Sequence, residues 1–136
     1  MTESSFLYTE GTIRTVEDNV VQPFQLESSA LRGRVVRLGS VLDEILGPHA
    51  YPAPVAQLLG EAALVCVLLS SMLKYDGIFT LQIKGSGPVS MLVADITSEG
   101  DLRACASFDA ETLPENPDTD ALARLLGKGH MAFTVD

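Results

Sequence analysis

Apolar and polar positions along this chain alternate in short runs, except for one long stretch in the middle where alternation stops. From Val55 to Leu73 nineteen residues pass with a single charge, Glu61. Directly after it, Phe79, Leu81 and Ile83 alternate with Thr80, Gln82 and Lys84. A period of two marks a strand with one buried face, whereas an apolar run of that length marks a helix that is either fully packed or membrane-spanning. The change of period falls at Asp76-Gly77, a turn pair.

Turn residues divide the rest of the chain. Upstream, Phe24-Gln-Leu-Glu27 alternates, and in Leu31–Leu38 the residues Leu31, Gly33 and Val35 oppose Arg32, Arg34 and Val36. The second run predicts a strand with one wetter face. Ser40 precedes Val41–Leu46, with Asp43 placed to favour a helix N-terminus, and Gly47-Pro48 stops that helix. Tyr51-Pro-Ala-Pro54 forces an extended link, and Pro54 suits the first turn of the helix that follows. Downstream, Gly85-Ser-Gly-Pro88 turns the chain into a strand at Val89–Ile96, and Ser98–Asp101 turns it again into Leu102–Phe108. Three strands joined by tight turns predict an antiparallel meander. Residues 114–117 read as loop, Thr119–Leu126 as a short helix, and Met131–Val135 as a further strand at which the chain stops.

The apolar run has the length and the flanking tyrosines, Tyr51 and Tyr75, of a bilayer span. Two features oppose that reading. Glu61 would stand at bilayer depth, at a cost of roughly 2.5–3.5 kcal/mol. The meander also has an apolar face that needs a partner layer, and this helix is the large apolar surface available to it. The expected fold class is therefore α+β: an antiparallel meander sheet packed on a long apolar helix, with shorter helices, and incomplete at its C-terminal end. Residues 1–23 are expected to form a mobile acidic arm and residues 24–136 a single domain, itself a fragment.

Composition narrows the function classes. Hydrophobic residues at 46% and charged residues at 20% describe a globular chain, not a disordered one. A formal net charge of −9 excludes a basic nucleic-acid surface. The acids are unevenly spread: residues 31–84 carry five bases against four acids, and the two flanking stretches are strongly acidic. The N-terminus has neither a basic region nor an apolar stretch of signal-peptide length, so a cytoplasmic location is expected.

Candidate chemistry is sparse. Cys66 lies among Val65, Val67 and Leu68, where burial should raise its pKa, and Cys105 lies on a strand with no base beside it. Two scattered thiols make no zinc-ligand spacing. His49 and His130 are far apart beside turns, and Asp95, Glu99 and Asp101 gather at one hairpin without the spacing of a calcium loop. Ser28-Ser29 and Ser70-Ser71 lack the glycines of a nucleophile elbow. Gly85-x-Gly87 joins two strands with no following helix, so it is a turn and not a phosphate cradle. No catalytic, cofactor-binding or metal-binding residue is assigned, and the chain is expected not to be an enzyme.

The order of the pieces carries a resemblance. Tyr51-Pro-x-Pro-Val55, Leu58-Leu59-x-Glu61, Leu68-Leu69-x-x-x-Leu73-Lys-Tyr-Asp-Gly77, Thr80-Leu-Gln82 and Gly85-x-Gly87-Pro88 resemble the N-terminal domain of the 33-kilodalton heat-shock protein family. Leu31-Arg-Gly33 and Leu125-x-Gly127-x-Gly129 fit the same pattern, so the resemblance runs from about Phe24 to Asp136. These are redox-regulated holdase chaperones. The resemblance implies an ATP-independent domain that binds unfolding client proteins, works as a homodimer and touches neither membrane nor nucleic acid. It also implies zinc in a C-terminal four-cysteine switch that this chain does not reach; neither Cys66 nor Cys105 matches a switch cysteine. Client-contacting residues are not fixed by any motif. The free apolar edge around Met131–Val135 is expected to drive dimerisation by strand exchange. The alternative is an enzyme of unrelated chemistry on a similar α+β scaffold.

Overall fold

The computed structural model describes residues 18–114 and 124–136. Strands β1 (Val20–Leu26) and β2 (Leu31–Arg37) form a two-stranded hairpin, followed by helices α1 (Ser40–Leu46) and α2 (Ala53–Ser71). Strands β3 (Ile78–Gly85), β4 (Val89–Thr97), β5 (Leu102–Phe108) and β6 (Gly129–Val135) form an antiparallel sheet in the order β5-β4-β3-β6. The meander is present as expected. The last strand crosses back to pair with β3, Leu81 opposite Phe133 and Ile83 opposite Met131.

Helix α2 is the centre of the fold. Val55, Leu58, Leu59 and Ala62 pack with Val89 and Leu92 of the sheet, and one turn further on Cys66 packs with Phe79, Leu81 and Ala94. Strand β4 meets the helix with a device that simple alternation hides. A register irregularity between Val89 and Met91 shifts the pleat, so that Val89 and Leu92 both turn inward although they are three residues apart. On the side away from the helix the sheet carries Thr80, Gln82, Asp95, Arg103 and Cys105, a solvated face typical of antiparallel sheets.

The hairpin covers another side of α2. Pro23 is tolerated in β1 because that strand has one unpaired edge. Its orientation is not given by the alternation alone. Leu31 and Val35 are each 55% exposed, whereas Arg34 and Val36 are partly buried. Arg34 and Pro23 line a trough with α2, which Phe24 and Gly33 also line, while Leu31 and Val35 of the apolar row face solvent.

The expected arm also ends earlier than residue 23. Val20–Pro23 are strand, and Asp18 and Asn19 supply the N-terminal cap of α1. Asp18 Oδ2 accepts from Ser40 N at 2.6 Å, and Asn19 Oδ1 accepts from Gly39 N at 2.9 Å. A capping contact of this kind contributes about 1 kcal/mol. It links the start of the hairpin to the first helix, a connection no local pattern reveals. Residues 1–17 lie outside the described residues, as does most of the helix expected at Thr119–Leu126.

Candidate binding surface

The chemically interesting side chains are kept apart. The Cys66 thiol lies in the core and donates to Ala94 O at 3.5 Å. Burial, helped by the nearby Asp95 charge, pushes its pKa up to about 11, so it remains a protonated, inert thiol at neutral pH. Cys105 is exposed on the opposite side of the sheet. The two thiols cannot share a metal ion or a disulfide. Among the described residues no group of three or more His, Cys, Asp or Glu side chains could hold a metal. The zinc implied by the resemblance therefore finds no fit with the donors described here.

The remaining candidates have structural tasks. Asp95 makes a bidentate pair with Arg103 across β4 and β5, at 3.0 and 2.9 Å, which separates it from Glu99 and Asp101 at the hairpin tip. Ser70 and Ser71 hydroxyls donate back to Val67 O and Leu68 O within α2. Ser28 and Ser29 lie in the exposed 3-10 turn that joins β1 to β2. His49 stacks beside Tyr51 at 5.3 Å, and Tyr51 in turn packs edge-on to Phe108 and accepts from Ala106 N. The Tyr51-Pro-Ala-Pro54 link is thus an anchor to β5. His130 is in β6 opposite Lys84, inside the strand and not beside it. Gly87 sits where the segment after residue 123 crosses the β3–β4 turn: a Cβ there would collide with Leu125 O.

What the described residues gather instead is exposed apolar surface. On the hairpin, Phe24 is 42% and Leu26 48% exposed, and with Leu31 and Val35 they form one row. The pairing register places Leu26 against Leu31 and Phe24 against Gly33, whose missing side chain leaves room for the Phe24 ring. A second patch lies on β6, where Met131, Phe133 and Val135 are half-exposed and Phe133 stacks on Phe79 at 6.1 Å. Isolated exposed leucines are ordinary, but contiguous rows mark contact sites. The β6 patch was legible in the sequence. The hairpin row was missed, although its signal, Phe24, Leu26, Leu31 and Val35 at period two, is plain once the orientation is known.

The model of the Hsp33 protein family matches residues 19–136. The chain belongs to the Hsp33 family. The 33 kDa chaperonin of Caulobacter vibrioides is 44% identical over 124 residues, covering 89% of this chain and 41% of the relative. That of Pseudomonas fluorescens Pf-5 is 41% identical over 120 residues, covering 88% and 39%. The crystal structure of the Thermotoga maritima 33 kDa chaperonin, a heat shock protein 33 homologue, superposes with a TM-score of 0.68 at 22% identity, over 88% of this chain and 46% of that one. The likeness to that structure shows a shared Hsp33 fold. The chain spans about two-fifths of the length of the curated Hsp33 relatives it matches.

Proposed function

We propose that this chain is the client-handling N-terminal part of an ATP-independent holdase of the Hsp33 family. The observation that carries the reading is the row Phe24, Leu26, Leu31 and Val35, exposed on the hairpin that packs along α2. A holdase needs apolar surface that its own core leaves uncovered, and an aggregation-prone segment of an unfolding protein is the complementary partner. The net charge of −9 serves the same end by keeping a loaded complex in solution. The structure offers binding surface and no convergent acid, base and nucleophile among the described residues, which supports a binding function over catalysis.

In this reading residues 24–136 form the substrate-handling domain. Redox activation in the family resides in a zinc-holding four-cysteine region outside these residues, and not in Cys66 or Cys105. The protein acts in the cytoplasm, without membrane or nucleic acid. Helix α2, with a mean hydropathy of 1.8 over its most apolar window, owes that character to its place between sheet and hairpin. The open edge of β6 and its apolar side support dimerisation, with strand exchange as its route. The test is light scattering from a heat-unfolded client without nucleotide. The chain should suppress aggregation equally under reducing and oxidising conditions. Absence of suppression, or a redox dependence traced to Cys66 or Cys105, would refute the reading.

A further inference from the structure

The trough between the hairpin and α2 has a charge character of its own. It is an open groove of about 750 Å³, lined on one wall by Pro23, Phe24, Gln25, Arg32, Gly33 and Arg34, on the other by Val65, Leu68, Leu69 and Met72. Its two charged residues are both arginines, in a protein of net charge −9. The other large cleft, about 960 Å³ at the C-terminal end of α2, balances Lys74 against Glu99. Of these two clefts, the trough is the one with net positive charge. Arginine stems often shield apolar helix surface, but here the shielding is incomplete, because Val65 and Met72 stay exposed.

We propose that the trough takes an extended segment in which acidic and apolar residues alternate. Arg32 and Arg34 are two residues apart on β2, so they share a face and stand about 7 Å from each other. An extended peptide sends successive side chains to opposite sides with the same spacing. Carboxylates at every second position then meet the two guanidiniums, which pair with them through charge-assisted hydrogen bonds. The intervening apolar side chains turn to Val65, Leu68 and Met72. Repulsion from the protein's overall negative charge is screened beyond about 10 Å at moderate salt, which leaves the local arginines to decide. The inference rests on the holdase reading for the source of the segment, an unfolding protein, and specifies which part of it is held.

Fluorescein-labelled peptides of alternating Glu and Leu, Gln and Leu, or Lys and Leu, titrated against the whole chain and read by anisotropy, test the proposal. The Glu peptide should bind about tenfold more tightly than the Lys peptide, as two partly exposed ion pairs would give. The R32Q/R34Q variant should lose that difference with an unchanged circular dichroism spectrum, and R32K/R34K should keep most of it. Equal or tighter binding of the Lys peptide, or a preference that survives R32Q/R34Q, overturns the proposal. So does a change in sedimentation of R32Q/R34Q without loss of peptide preference, because the trough would then be covered by a second copy. Selectivity for the Glu peptide without suppression of client aggregation would refute the holdase reading alone. Suppression without selectivity would refute the trough's specificity alone.

Discussion

Two cysteines with the same covalent chemistry have opposite fates in this protein, decided by which side of one sheet they occupy. Cys66 is buried among Phe79, Leu81 and Ala94, and Cys105 faces solvent. The raised Cys66 pKa has a consequence for stability. Below pH 9 the thiol is protonated in both native and unfolded chains. Between 9.0 and about 11 the unfolded chain loses its proton first, so stability falls as pH rises through that window. The urea midpoint should therefore drop more steeply over this range in the wild-type chain than in Cys66→Ala, and iodoacetamide at neutral pH should modify Cys105 and spare Cys66. Parallel midpoints in the two proteins would show that the thiol is not held protonated. The burial of Cys66 was legible from its apolar neighbours. The pairing of Asp95 with Arg103 was not, because it depends on the β4–β5 register, which follows from the turn and from the bulge near Val89.

At the scale of elements, α2 and the β3–β4–β5 meander could be read with little error, since a long apolar run and alternating segments between tight turns leave few alternatives, although the bulge in β4 stayed hidden. The hairpin shows where such reading fails. Its alternation was visible, but a strand pattern states only that two faces differ. Which face turns inward depends on the layer each meets, and here the arginine-bearing side lies along α2. The capping of α1 by Asp18 and Asn19 was hidden for a related reason, because the contact spans some twenty residues of sequence. Gly87 belongs to the same scale. The Gly-x-Gly pattern is a packing requirement, set by the backbone of Leu125 crossing the turn. Gly87→Ala should cost about 2 kcal/mol or more, because the obstructing atom is backbone and cannot swing away. Urea unfolding should show a lower midpoint at an unchanged slope, and an unchanged midpoint would mean that the two segments do not pack so closely.

For the molecule as a whole, the sheet and the hairpin pack on α2, and the described residues leave two apolar rows exposed, one on the hairpin and one on β6. Large unpartnered rows are costly in a protein that works alone, and useful in one that holds unfolding chains. Family membership points to the proposed holdase function, and the exposed hairpin is the surface to which the proposal assigns client contact. The decisive measurement is aggregation suppression by a Leu31→Asp, Val35→Asp double variant compared with the parent chain. Both side chains already face water, so the variant should fold with the parent's circular dichroism spectrum and lose most of its suppression. A folded variant that suppresses client aggregation as well as the parent would contradict the assignment of the hairpin as the working surface.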